Sequence, residues 1–147
     1  KSTREHYSDS PSPAADCEVL YRFAEKIGLA FQLQDDYLDA YGDPEVFGKK
    51  IGGDILCGKK TFLTVSALAQ MSEKEVTHFL RMLACDSIDP DEKIRFVMSC
   101  YAKYNVEALC QQRISAYFDE ARAALSELSV DATPIWNYVT PLLSRNH

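Results

Sequence analysis

The sequence of 147 residues contains no uninterrupted apolar stretch of about 18 residues, the length that a membrane-spanning helix requires. It also has no basic segment followed by an apolar run near its first residue, so no export signal is visible. These two absences predict a protein that does not span a membrane and that resides in the cytoplasm.

Paired cysteines and clustered histidines are also lacking. The five cysteines form no C-x-x-C pair, and none of the three histidines stands at metal-ligand spacing from a cysteine or at triad spacing from another catalytic residue type. Isolated cysteines in an odd number are typical of reduced thiols in a cytosolic protein. The sequence therefore excludes a disulfide framework and a cysteine-histidine zinc site.

The sequence has fewer basic residues than acidic residues. Lysine and arginine together number 16 against 22 aspartates and glutamates, which gives a formal net charge of −6. A protein that binds nucleic acid or an anionic membrane surface in general needs a basic face. The charge balance therefore argues against a nucleic-acid partner and directs attention to local basic residues.

No segment alternates strictly between apolar and polar residues, the pattern of a half-buried strand. Apolar residues recur instead at helical spacing, and helix-start signals stand at Ser72–Glu75 (a capping box), at Asp89-Pro90 and at Thr133-Pro134. The helix that begins at Asp89 is long, with a possible break at Tyr104-Asn105. The sequence thus predicts an all-α protein.

The chain divides into two parts by composition. Residues 1–15 contain serine and proline turn formers with almost no apolar periodicity, and are expected to be a loop or a truncated edge. Residues 16–147 are expected to form the helical part. Within it, the glycine-rich residues 42–60 are expected to form a loop with room for a short helical turn.

Three carboxylates stand close together at Asp35, Asp36 and Asp39. On a helix, positions 35 and 39 lie about 40° apart and positions 36 and 39 about 60° apart, so their oxygens can converge on one patch. Three negative charges near a helix C-terminus are unfavourable without a cation, and hard oxygen ligands suit Mg²⁺. The cluster therefore predicts a magnesium site, and the lysines of the loop that follows predict a diphosphate ligand.

The acidic cluster belongs to a longer pattern of aromatic, amide, glycine and lysine residues, which comprises Gly28–Asp39, Gly42-Asp43, Gly48-Lys49, Gly52–Asp54 and Lys59. This pattern resembles the second aspartate-rich region of the trans-isoprenyl diphosphate synthases. The resemblance implies a bundle of long antiparallel helices of the isoprenoid synthase type. Because the family's first aspartate-rich motif has no counterpart in the sequence, the chain resembles the C-terminal half of that fold.

The resemblance implies roles for the acidic residues. Asp35 and Asp39 would coordinate Mg²⁺ that bridges an allylic diphosphate, with Asp36 oriented nearby or acting through water. Asp54 matches an acid that would hold a metal-bound water, although a helix N-cap is an alternative role for this residue. Magnesium is the cofactor that these roles require.

The resemblance also implies substrate-binding residues. Lys49 and Lys59 match two lysines that contact the diphosphate, and Gln32 would lie along the allylic chain with Phe31. Phe31 is equally in phase with the apolar stripe of its helix and so fits a core position. Arg145 would help to close the site over a second diphosphate.

The activity that the resemblance implies is trans-prenyl transfer. An allylic diphosphate is ionised with the help of magnesium, the double bond of isopentenyl diphosphate attacks the cation, and proton loss leaves a longer prenyl diphosphate such as farnesyl diphosphate. The complete enzyme would be a homodimer. Three alternatives stay open: a non-catalytic half that binds diphosphate, a terpene cyclase, and a helical interaction module without a ligand.

Overall fold

A computed structural model describes residues 13–43 and 52–144, and the regular secondary structure of these residues is helical throughout. This confirms the all-α prediction for the described part of the chain. No helix in the described part has the length and apolar character to cross a membrane. The described helices are α1 (Pro13–Tyr41), α2 (Gly53–Leu56), α3 (Phe62–Gln70), α4 (Glu73–Ala84), α5 (Pro90–Lys103), α6 (Val106–Leu125) and α7 (Thr133–Ser144).

Local capping signals account for the starts of α4 and α5. The Ser72 side chain accepts a hydrogen bond from the Glu75 amide while the Glu75 side chain accepts one from the Ser72 amide, which confirms the predicted capping box. Asp89 accepts a hydrogen bond from the Glu92 amide, and Pro90 occupies the first position of α5 as predicted. These caps satisfy amides that the helices themselves leave without partners.

Other helix ends differ slightly from the sequence prediction. Helix α1 begins at Pro13 rather than near Asp16. Helix α7 begins at Thr133 itself, and the Asp131 carboxylate accepts hydrogen bonds from the Thr133 amide (3.0 Å) and hydroxyl (2.7 Å). The predicted break after α5 is confirmed, since Asn105 has a φ of 55° that a helix interior does not allow and that asparagine tolerates.

The chain separates into two compact units, which share helices α1 and α6. Among the described residues, the first unit contains residues 13–31 and 114–144. It is held together mainly by apolar burial, with a bidentate ion pair between Arg22 and Glu127 (3.1 and 3.0 Å) on its surface. Its buried core consists of Phe23, Ile27, Ala30, Ala121, Ala124, Leu125 and Val139.

The second unit contains the described residues between Gln32 and Arg113. Helix α5 packs against α2, α3 and α4 within this unit. The buried Lys93 of α5 donates a hydrogen bond to the Leu83 carbonyl at the end of α4 (3.0 Å). The largest fully buried side chains of this unit are Tyr101, Phe79, Leu63, Val97, Val106 and Cys110.

The turn before α2 depends on a glycine. Gly52 has a φ of 92°, and a Cβ atom added to it would lie 2.7 Å from the Cδ1 atom of Ile94. Its amide donates a hydrogen bond to the Asp39 carbonyl (2.7 Å). Both its backbone conformation and its contact with Ile94 of α5 therefore disfavour a side chain at this position.

We predict that Gly52→Ala lowers the free energy of unfolding by about 2 to 5 kcal/mol, the sum of a left-handed backbone penalty and of overpacking against Ile94. Gly58→Ala is the matched control, since Gly58 also has a positive φ (68°) but a Cβ there would meet no atom within 4 Å. We expect the control to lose only about 1 to 2 kcal/mol in urea unfolding. Equal losses would show that the contact with Ile94 imposes no constraint.

Glu75 lies at the centre of a polar contact between α4 and the end of α5. Its carboxylate accepts hydrogen bonds from the Tyr104 hydroxyl, from Lys103 Nζ (2.9 Å) and from the Ser72 amide (3.2 Å). These partners, the Tyr104 hydroxyl first, lower the pKa of Glu75 from its ordinary value of 4.5 to about 2. The ionised form is therefore favoured by folding.

The lowered pKa of Glu75 predicts a specific acid sensitivity. A carboxyl whose pKa falls on folding stabilises the protein fully above its unfolded value of 4.5 and ceases to do so as the pH approaches about 2. We expect the melting temperature of Glu75→Gln to vary less than that of the wild type across this interval. Glu73→Gln, a substitution in the same helical turn, should follow the wild type; identical profiles for all three proteins would contradict the prediction.

Candidate functional site

Three carboxylates converge on one small cavity in the second unit. Asp36 and Asp39 reach it from α1, Asp54 reaches it from the first turn of α2, and Lys59 reaches it from the segment after α2. The space inside it that the centre of a water molecule can reach is about 10 Å³, which is enough for about one water molecule. Its remaining lining residues are Ala40, Ile55, Thr61, Leu63, Thr64 and Tyr101.

Helical geometry explains why two of the three predicted acids enter the cavity. Asp36 and Asp39 are three residues apart on α1, so they share a face, and each is only 6% exposed. Asp35 lies on the exposed side of the helix and is not among the residues that line the cavity. Asp54, which comes from a different helix, is the third carboxylate of the cavity.

Asp39 holds the start of α2 against the end of α1. Its Oδ2 atom accepts a hydrogen bond from the Asp54 amide (2.9 Å). The N-cap residue of α2 is Gly52, which has no side chain with which to accept this bond. The alternative role of Asp54 as an N-cap is therefore wrong, because its amide is capped by Asp39 and its own carboxylate faces Lys59.

Lys59 places one ammonium group between two of the carboxylates. Its Nζ atom lies 3.3 Å from Asp36 Oδ1 and 3.7 Å from Asp54 Oδ2. The side chain of Lys59 is 52% exposed while that of Asp36 is 7% exposed, so the cation extends from solvent to a buried anion. Burial raises the pKa of Asp36, and the hydrogen bond from Lys59 partly opposes that rise.

A chain of hydroxyl groups lies along the same cavity. Thr61 caps α3 by accepting a hydrogen bond from the Thr64 amide (3.3 Å), and the Thr64 hydroxyl lies 2.9 Å from that of Tyr101. Burial raises the pKa of Tyr101, so its hydroxyl stays protonated and neutral. Sequence reasoning missed Tyr101 as a residue of the cavity, because it lies beside Thr64 only through the packing of α5 against α3.

The cavity contains the kind of donor atoms that a hard divalent cation binds, but among the described residues they do not form an assembled metal site. Among residues 13–43 and 52–144, no group of three or more histidine, cysteine, aspartate or glutamate side chains is already arranged to hold a metal. However, carboxylate oxygens from α1 and α2 are the ligands that Mg²⁺ prefers, and the buried Asp36 requires a positive partner. In the structure, Lys59 supplies that positive charge.

The other predicted substrate-binding residues have different surroundings. Gln32 is exposed on α1 in the second unit. Phe31 is half-buried and packs against the apolar core of the first unit, as its helical phase suggested. Lys49 and Arg145 lie outside the described residues, so their assigned roles stay predictions.

Comparisons with known proteins identify relatives of one family. The sequence model of the polyprenyl synthetase family matches residues 5–101. The chain is 40% identical to a short chain isoprenyl diphosphate synthase of Methanocaldococcus jannaschii over 83 residues, which are 53% of this chain and 25% of that protein. It is 42% identical to farnesyl diphosphate synthase of Escherichia coli over 77 residues, which are 48% of this chain and 26% of that protein.

The fold leads to the same family. The structure matches a crystal structure of geranylgeranyl pyrophosphate synthase with a TM-score of 0.76 and 31% sequence identity, over 88% of this chain and 42% of that one. This confirms the expected isoprenoid synthase fold. The matched segments span about a quarter of the length of the two sequence relatives, at 25% and 26%.

We predict that Asp39→Ala destabilises the second unit, because it leaves the partly buried Asp54 amide without its acceptor. The expected loss is about 1 to 3 kcal/mol in the free energy of unfolding. Asp39→Asn retains a side-chain oxygen that can accept the same bond, and should lose less. If urea unfolding gave equal losses for the two variants, the hydrogen bond to the Asp54 amide would not be the reason that Asp39 is needed.

Proposed function

Because the chain belongs to the polyprenyl synthetase family, we propose that it forms the C-terminal part of a trans-prenyltransferase. The proposed reaction condenses an allylic diphosphate with isopentenyl diphosphate to give a longer prenyl diphosphate. The observation that carries this proposal is the convergence of Asp36, Asp39 and Asp54 with Lys59, within the residues that match the family. Such an arrangement suits a reaction in which diphosphate is the leaving group, because the negative charge that develops on it must be neutralised.

The acidic residues would divide the binding of the cation between them. Asp35 and Asp36, adjacent on α1 with one exposed and one buried carboxylate, would hold Mg²⁺ at the mouth of the cavity. When bound, Mg²⁺ supplies a Lewis acid that stabilises the departing diphosphate. Asp39 would act mainly by fixing α2, and so the position of Asp54, relative to α1.

The remaining residues would bind and orient the substrates. Lys59 has the charge and the exposure to contact a diphosphate outside the cavity. Gln32 lies one helical turn before Asp35 on the exposed face of α1, where its amide would lie along the allylic chain. Lys49 and Arg145 are proposed to contact diphosphate groups, and a homodimer is proposed for the complete enzyme.

A non-catalytic half that binds diphosphate is the second candidate. The sequence contains only one D-D-x-x-D motif, at Asp35–Asp39. A chain with one such motif would bind an allylic diphosphate through magnesium but would need a second acidic motif from elsewhere to turn it over. The same binding experiment therefore tests the shared part of both candidates.

We predict that an unreactive allylic thiodiphosphate binds this chain only when Mg²⁺ is present, and that Asp35→Asn weakens binding by about tenfold or more because a charged ligand is lost. Isothermal titration calorimetry measures both effects. Asp119→Asn, the same substitution at an exposed position of α6, is the matched control and should bind like the wild type.

Equal binding by Asp35→Asn and the wild type would remove Asp35 from the metal site. If the folded wild type did not bind with magnesium, the chain alone would not form the site. The same titration with a second chain that supplies another acidic motif would then be the next test.

A further inference from the structure

We propose that Lys59 is the resident counter-ion of the acidic cavity, and that a divalent cation displaces its ammonium group outwards when it binds. This inference rests on the proposed function, since it takes the acids to be a cation site. It assigns Lys59 two successive partners, which are first the carboxylates and then an anionic ligand outside the cavity.

The geometry of the ammonium group is the first support. Lys59 Nζ lies 3.3 Å from Asp36 Oδ1 and 3.7 Å from Asp54 Oδ2, and these carboxylates belong to different helices. A buried carboxylate is strongly disfavoured unless a positive charge pairs with it. The ammonium group therefore satisfies the same requirement that a metal ion bound to Asp36 would satisfy.

Use of the same carboxylate oxygen makes the two cations competitors. Lys59 Nζ donates a hydrogen bond to Asp36 Oδ1 at 3.3 Å. A magnesium ion that used the same Asp36 oxygen would bring its own shell of oxygen ligands, and an ammonium group hydrogen-bonded to that oxygen would repel it. One positive charge has to leave before the other is fully bound.

The local structure allows Lys59 to move only its side chain. Its amide donates to the Asp54 carbonyl (3.0 Å), and its carbonyl accepts from the Thr61 amide (3.1 Å), so the backbone is fixed on both sides. The side chain is 52% exposed and its four-carbon stem is flexible. A change of rotamer is therefore enough to carry the ammonium group from the carboxylates into solvent.

If a divalent cation displaces Lys59, removal of the Lys59 ammonium group should have opposite effects on the binding affinities of two ligands. Removal of the ammonium group from the cavity should strengthen the binding of a divalent cation, because the competing charge is gone. The same change should weaken the binding of inorganic diphosphate in the presence of that cation. Substitution of a lysine that served only to contact phosphate would weaken the binding of diphosphate and leave the binding of the cation alone unchanged.

The test is calorimetric titration of MgCl₂ or MnCl₂, without any diphosphate, into the full chain as wild type, Lys59→Gln and Lys60→Gln. Lys60 is the neighbouring exposed lysine and serves as the matched control. We expect Lys59→Gln to bind the cation about tenfold more tightly than the wild type, which is the size of effect that one adjacent charge produces. Lys60→Gln should bind like the wild type.

A second measurement tests the ion pair without a metal. We expect Lys59→Gln to lower the melting temperature, and Asp36→Asn to remove most of that effect in the double variant, because no buried carboxylate is then left unpaired. Independent effects of the two substitutions would overturn the role of Lys59 as counter-ion.

The outcomes separate this inference from the proposed function. If the wild type bound the cation and Lys59→Gln bound it equally or more weakly, displacement would be wrong while the cation site would stand. If neither protein bound the cation, displacement would be wrong, while the proposed function would still be tested by the magnesium-dependent binding of the thiodiphosphate.

Discussion

The buried carboxylate of Asp36 is the group on which the arrangement of the second unit depends. A charge removed from water needs a positive partner, and the sequence supplies that partner in Lys59, 23 residues further along the chain. Residues 52–59 must therefore lie beside the end of α1. Gly52 allows this by approaching α5 without a side chain, and Asp39 stabilises it by accepting a hydrogen bond from the Asp54 amide.

Helix α5 supplies part of the wall of the cavity through Tyr101. This side chain is almost fully buried, and its hydroxyl is hydrogen-bonded to the Thr64 hydroxyl, so α3 and its cap lie beside the carboxylates. Ile94 packs on Gly52 from the same helix. Rigid packing of this kind keeps the backbone of the site in place while the exposed side chain of Lys59 stays free to change rotamer. The backbone of the site is thus fixed, and the ammonium group of Lys59 is the charge that can move.

The features that the sequence predicted are those determined within a few residues. The Ser72 capping box and the break at Asn105 depend on neighbouring backbone groups, so both could be predicted without knowledge of the fold. The shared face of Asp36 and Asp39 follows from helix geometry alone. By contrast, only the family resemblance pointed to Asp54, because its entry into the cavity depends on the packing of α2 against other helices, which no local pattern contains.

The two faces of α1 have different tasks for a physical reason. Three carboxylates line the cavity and repel a diphosphate, which favours a position outside it for an anionic ligand. Gln32 and Asp35, three residues apart, share the exposed face of the helix. Asp36 on the buried face is paired with Lys59 in the structure. A single helix can therefore expose one carboxylate to a cation that accompanies an incoming anionic ligand and keep its neighbour paired with a lysine, because consecutive residues point about 100° apart.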